Sequence, residues 1–134
     1  MPEQDVDLWP SDLGLEALPR SPVTILRQQA AALSAKLDNR IQARIHSTPA
    51  GYGDRQINIK LRHRMVLVVP NLEDYELDLL NVSHGDNVYP VFAQLKDQHP
   101  AAEIGSEKEL LEWLRVSFAS ETTRRALGSL LSLA

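Results

Sequence analysis

The sequence predicts an α+β domain: an N-terminal helix, a four-stranded antiparallel meander, and two C-terminal helices packed on the sheet. Two observations lead to this fold class. The block from Arg40 to Leu95 contains four successive runs in which apolar and polar side chains alternate, and segments of helical periodicity lie on both sides of it. Strands that follow one another through short turns pair antiparallel, and helices with one apolar stripe cover one sheet face.

Residues 1–20 are predicted to form an acidic extended arm, and residues 21–134 a single α+β domain. The arm holds five acidic residues and three prolines, which disfavour regular structure. We expect its large apolar side chains to tie it to the domain. The alternative is a segment that becomes ordered on a partner. The expected anchors are Trp9, Leu13, Leu15 and Leu18.

The first helix is predicted to begin at Ser21-Pro22, because Ser is a favoured N-cap and Pro suits the first helical position. Asp38-Asn39 is predicted to end it. Between them, apolar residues recur every three or four positions, as they do on a helix that lies on a sheet. These residues are Val23, Leu26, Ala30, Leu33 and Leu37.

The strongest strand signal runs from Gln56 to Val69. Its odd-numbered side chains are mostly apolar and are predicted to face the core. Its even-numbered side chains are basic at first and then become Val66 and Val68, so we expect both faces to be covered there. Because strands of this length are unusual, we expect a bend or bulge near His63.

The turn-forming segment Pro49–Gly53 predicts a hairpin between the first two strands. Alternation then predicts a register in which apolar residues of both strands share one face. The predicted pairs are Ile45 with Ile57, Ala43 with Ile59 and Ile41 with Leu61.

The segment Pro70–Asp74 predicts the second hairpin, and His84–Asn87 predicts the third turn. The fourth strand contains Pro90, which cannot donate a ladder hydrogen bond, so it is predicted at a sheet edge. The expected pairs in the second hairpin are Val69 with Tyr75, Leu67 with Leu77 and Met65 with Leu79. The expected inward residues of the fourth strand are Tyr89, Val91, Ala93 and Leu95.

Two helices are predicted after the sheet. Ser106 and Glu109 have the spacing of a capping box, and Ser120-Glu121 is predicted to start a second helix after a break. Both segments carry apolar stripes. The residues of these stripes are Leu110, Leu111, Trp113, Leu114 and Phe118, followed by Leu127, Leu130, Leu131 and Ala134.

Composition narrows the function classes. The chain has no cysteine, which excludes disulfides, thiolate catalysis and cysteine-bound zinc. It contains no apolar run of the ~20 residues that span a bilayer, and its N-terminal residues do not resemble a secretory signal. We therefore expect a cytoplasmic monomer or homodimer with no membrane association.

The four histidines show no metal-ligand spacing, and the sequence contains no nucleophile-elbow or phosphate-loop motif. We predict no catalytic residue, metal or cofactor. His63 is predicted to be a hydrogen-bonded core residue, although it would be a candidate general base if a cavity opened beside it. His84 is predicted to belong to a turn, and a meeting of His84 with His46 has no support from their spacing.

The basic residues on the even-numbered face of the first two strands are the candidate partner-binding site. The whole chain has a net charge of −4, so this patch is positive in a protein that is negative overall. Such a patch suits an acidic protein surface. The alternative is a solvated face that Glu76 and Asp78 partly neutralise. Nucleic acid is not expected, because aromatic side chains do not interleave with the cations. The candidate residues are Arg40, Arg44, Lys60, Arg62 and Arg64, with Arg55 at the rim.

Several short runs together resemble a group of small uncharacterised bacterial proteins, over most of the chain. The resemblance implies the fold and a bacterial origin, and it implies no activity. The runs are Trp9-Pro10, Ser21-Pro22, Ile25–Ala30, Val69-Pro70 with Leu72 and Tyr75, and Tyr89-Pro90-Val91.

Three hypotheses follow for function. The first, which we favour, is a non-catalytic protein-binding module of bacterial type, such as an immunity protein, an antitoxin-like protein or an adaptor. The second is an enzyme or small-ligand binder with a pocket between sheet and helices around His63, Tyr75 and Tyr89. The third is an oligomerisation domain that pairs through a sheet edge or the C-terminal helices.

Overall fold

The described part of the chain folds into three helices and one five-stranded antiparallel sheet, so the predicted α+β class is confirmed. The computed structural model describes residues 6–15, 18–50 and 59–134. The strands follow one another across the sheet in chain order, β1-β2-β3-β4-β5. The elements are α1 (Pro22–Lys36), β1 (Gln42–Pro49), β2 (Leu61–Val69), β3 (Tyr75–His84), β4 (Val91–Leu95), β5 (Ala102–Ile104), α2 (Glu107–Phe118) and α3 (Glu121–Leu133), and a 3-10 turn (Pro70–Leu72) joins β2 to β3.

The fifth strand, β5, corrects the prediction of four strands. It pairs with β4 through Val91 and Ile104, so β4 lies between β3 and β5 and is not an edge strand. With three residues, β5 is too short to show alternation in the sequence. Pro90 stands just before the first residue of β4, where its missing N–H interrupts no ladder hydrogen bond.

All three helices contribute buried residues to one core with the inner face of the sheet. The C-terminal stripe packs here too: Leu130 is buried, and Leu127 and Leu131 pack against the same core. This burial accounts for the stripe without a second chain. In the described part of the chain, no helix combines the length and the apolar character needed to cross a bilayer. The inner residues of β2 in this core are Met65, Leu67 and Val69.

Each helix begins at a serine that caps it, as predicted. The Ser21 and Ser120 hydroxyls accept hydrogen bonds from backbone N–H groups three residues later, at 3.3 and 3.4 Å. Ser106 accepts from the Glu109 N–H at 3.2 Å. The Glu109 carboxylate accepts from the Gly105 N–H at 2.9 Å rather than from the N-cap residue itself, which is a variation on the capping box.

The arm is held at Arg20, and its large apolar side chains are exposed. The Arg20 N–H donates to Glu107 of α2 at 2.6 Å, and the Tyr89 hydroxyl donates to the Arg20 carbonyl at 3.2 Å. Trp9 is 77% exposed, so the expectation that apolar anchors tie the arm to the domain is wrong. The alternative, an arm that becomes ordered on a partner, stays a prediction. The other exposed candidates are Leu13, Leu15 and Leu18.

The pairing of β1 with β2 differs from the predicted register by eight residues. Ile45 lies opposite Met65 and Ala43 opposite Leu67. Because eight is even, the same side chains still face inward. This register sets the most apolar part of β2, Met65–Val69, between two strands. The predicted strand segment Gln56–Asn58, Arg55 and part of the predicted turn lie outside the described residues, and β2 begins at Leu61.

The pairing of β2 with β3 contains a bulge at Leu79. Val69 with Tyr75 and Leu67 with Leu77 pair as predicted. Val66 then pairs with Asp78 and Met65 with Leu80, so Leu79 is an extra residue in β3. The predicted pair of Met65 with Leu79 is therefore wrong. The irregularity that was predicted near His63 lies between Met65 and Val66, and its extra residue is in β3.

The outer face of β2 is covered at one end. Val66 and Val68 are both 0% exposed, as the sequence predicted, although neither belongs to the inner core. Their cross-strand neighbours are polar residues with long or branched side chains that flank the two valines. These neighbours are Gln42 and Arg44 on β1 and Glu76 and Asp78 on β3.

This covered patch can be tested with two Val→Ala substitutions. We expect Val66→Ala to lower the free energy of unfolding by about 2 kcal/mol, because it removes two buried methyl groups and leaves a cavity. The control Val116→Ala, at a residue that is 61% exposed, should change it by less than about 0.5 kcal/mol. Urea unfolding measures both, and equal small effects would contradict burial of the outer face.

Candidate functional site

The predicted basic residues lie along the outer face, but they form a row and not a compact patch. Arg44 lies opposite Val66, and His46 lies opposite Arg64. Arg40 stands before the start of β1, and Lys60 stands before β2, opposite the end of β1. The eight-residue β1 separates them by ~25 Å, so the structure does not bring these two cations together.

Carboxylates neutralise part of this row, as the alternative interpretation anticipated. Arg64 forms an ion pair with Asp78 at 3.0 Å, and Arg44 approaches Asp74 at 3.8 Å. Every side chain in these pairs is substantially exposed, from 39% to 65%. Arg62 is half-buried and donates from Nε to the Ser83 hydroxyl at 3.3 Å.

A second polar group lies on the inner face, where Ser47, His63 and His84 form a continuous hydrogen-bonded chain. The Ser47 hydroxyl lies 2.7 Å from His63 Nδ1, and His63 Nε2 lies 2.9 Å from His84 Nε2. The chain ends where His84 Nδ1 meets the Gly85 carbonyl at 2.9 Å. His63 and His84 are 3% and 8% exposed, whereas Ser47 is exposed at its end of β1.

The Gly85 carbonyl sets the direction of the hydrogen bonds in this chain when the His84 ring carries a single proton. A carbonyl only accepts, so His84 Nδ1 carries the proton and, in the neutral ring, Nε2 holds a lone pair. His63 must then donate from Nε2, which leaves its Nδ1 as an acceptor. The Ser47 hydroxyl therefore donates to His63 Nδ1.

The hydrogen bonds among Ser47, His63 and His84 depend on the protonation state of His63. Burial, the neighbouring His84 and the charge of Arg27 on α1 lower the pKa of His63 from 6.5 to about 4. The ring is consequently neutral at pH 7, which is the state that can accept a hydrogen bond from the Ser47 hydroxyl. The prediction that His63 is a hydrogen-bonded core residue is confirmed.

The sequence interpretation did not find the His63–His84 pair, because it placed His84 in a turn. His84 is the last residue of β3, and His46 lies on the outer face, 3.4 Å from Glu76. By parity alone His63 and His84 would face opposite ways, and the extra residue Leu79 reverses that parity. The signal in the sequence is Leu79-Leu80, where the alternation of β3 changes phase.

The pocket postulated around His63, Tyr75 and Tyr89 is not assembled. Tyr75 pairs with Val69 at the far end of β2 and is 51% exposed. The Tyr89 hydroxyl donates to the Arg20 carbonyl, and burial together with the charge of Glu107 raises its pKa. Within the described residues, no cluster of three or more His, Asp or Glu side chains could hold a metal ion.

No known protein family matches the chain, and no curated protein and no solved structure is similar to it. The resemblance to small bacterial proteins therefore stays a prediction.

The low pKa of His63 gives a testable dependence of stability on pH. Between pH 6.5 and 4 the unfolded chain binds a proton at this ring and the folded protein does not. The free energy of unfolding therefore falls as the pH drops through this window, by up to about 3 kcal/mol. We expect His63→Leu to remove this component of the pH dependence. Urea unfolding at pH 7 and pH 4.5 measures it, and a variant with the wild-type dependence would contradict the assignment.

Proposed function

We propose that the protein is a protein-binding module that contacts an acidic partner through the outer face of its sheet. The observation that carries this proposal is the row of arginines Arg44, Arg62 and Arg64, which lies on two adjacent strands on the face opposite the helical core. A small immunity protein, an antitoxin-like protein or an adaptor would use such a face. In a chain of net charge −4, this row is where an acidic partner meets positive charge.

The ion pairs within the face are compatible with this role. Exposed pairs such as Arg64 with Asp78 contribute about 0–1 kcal/mol, because solvent screens them and the side chains lose rotamer freedom. Exchange of Asp78 for a carboxylate of a partner therefore costs little. The carboxylates that remain would then restrict which arrangements of partner charge fit the face, and this restriction favours specificity over affinity.

A pair of charge reversals tests the surface. We expect Arg44→Glu with Arg62→Glu to weaken partner binding by at least ~10-fold, because it replaces attraction with repulsion at two positions of the row. Folding should be retained with a modest loss of thermal stability, since Arg44 is exposed and its ion pair is long, whereas Arg62 is half-buried and loses its hydrogen bond to Ser83. The control Lys108→Glu with Arg124→Glu makes the same change in net charge on exposed residues of α2 and α3.

The measurement has two stages. Affinity capture with the wild-type chain identifies a partner, and titration of that purified partner against the three proteins then gives dissociation constants. Equal losses in both variants would mean that net charge alone drives binding. Unchanged binding in the Arg44/Arg62 variant would exclude the outer face as the binding surface. Loss of folding in that variant would mean that these arginines have a structural role.

A further inference from the structure

The Ser47–His63–His84 chain has the parts of an activated hydroxyl. The Ser47 hydroxyl is within hydrogen-bond reach of an imidazole lone pair, and a third group holds the other ring nitrogen of that imidazole. Nucleophilic hydroxyls in enzymes share this arrangement of nucleophile, base and orienting group. Here the orienting group is the His84 imidazole, whose Nδ1 donates to the Gly85 carbonyl.

Ser47 is exposed to solvent, whereas the two histidines of the hydrogen-bonded chain are buried. The two rings are buried, so water does not compete for their hydrogen bonds. The serine is exposed, so a reagent or substrate reaches its Oγ without a change in the core. The arrangement thus combines a reachable nucleophile with a base that is shielded and fixed in direction.

We infer that Ser47 is a nucleophile that His63 assists as a general base, and that it accepts acyl groups from carboxylic esters. This inference depends only on inner-face residues, so it stands or falls independently of partner binding through the outer face.

The reaction balances with the groups present. Ser47 Oγ attacks the carbonyl carbon of the ester, and its proton moves to His63 Nδ1. The tetrahedral intermediate then breaks its bond to the leaving alkoxide, which takes that proton and departs as the alcohol. Water attacks the acylated Ser47 by the same path, with His63 again receiving and returning the proton. The products are a carboxylic acid and the free serine, so ester and water are the only reactants.

The basicity of His63 sets how fast this step can be. A base whose pKa is about 4 is unprotonated at neutral pH but has a low affinity for the hydroxyl proton. Arg27 also disfavours the imidazolium that forms when the proton transfers. We therefore expect an enhancement at the lower end of the range for general-base assistance, about 10²-fold.

The test is the rate at which an alkyl fluorophosphonate labels individual serines of the full-length protein at pH 7.5. The reagent forms a bond between phosphorus and Oγ and expels fluoride, while the hydroxyl proton leaves through the base. Ser132 is the internal control, since it is exposed and its hydroxyl donates to the Ser129 carbonyl instead of to an imidazole. Both sites are read by peptide mass spectrometry in one sample, so the comparison does not depend on how any variant folds.

We expect Ser47 to be labelled about 10²-fold faster than Ser132 in the wild-type protein. Ser47→Ala should abolish the fast adduct, and Ser132→Ala should leave it unchanged. His63→Gln should reduce labelling of Ser47 to the rate of Ser132. Equal labelling of the two serines in the wild-type protein would overturn the inference, and fast labelling of Ser47 in His63→Gln would remove His63 as the base.

Discussion

The extra residue Leu79 in β3 determines which side chains of that strand meet the helices. Before it, Leu77 faces inward with the odd-numbered residues, and after it Leu80 and Val82 face inward with the even-numbered residues. Without the bulge, the second half of β3 would turn its apolar residues outward and its polar ones toward the core. The same change of phase brings His84 onto the inner face, so both the core and the histidine pair depend on one residue.

The two faces of the sheet impose opposite conditions on their polar groups. Arg62 and His63 are adjacent in β2 and point to opposite sides, one half-buried on the outer face and one buried on the inner face. On the outer face water satisfies any charge that loses its partner, so the ion pairs are free to exchange. On the inner face an unpaired nitrogen is costly, and all four ring nitrogens of the two histidines have a partner. The structure therefore has one adaptable surface and one fixed hydrogen-bonded chain.

The sequence predicted those features that local chemistry determines. Serines 21, 106 and 120 mark the helix starts, and alternation assigned the inward side chains of β2 correctly. Pairing depends on distant parts of the chain, so the β1–β2 register and the place of β5 did not follow from local patterns. The candidate site shows the same limit: the basic row was found by alternation along two strands, whereas the His63–His84 pair required the phase change at Leu79-Leu80 to be recognised as a bulge.

The fixed core of the structure is the hydrogen-bonded chain in which His63 and His84 each hold one tautomer. Long-range ¹H–¹⁵N NMR correlation on histidine-labelled protein at pH 7 tests it, because the two nitrogens of a fixed neutral tautomer have distinct shifts. We expect His84 to carry its proton on Nδ1 and His63 to carry its proton on Nε2. Two rings with averaged nitrogen shifts, or the opposite tautomers, would contradict a chain of hydrogen bonds that runs from the Ser47 hydroxyl to the Gly85 carbonyl.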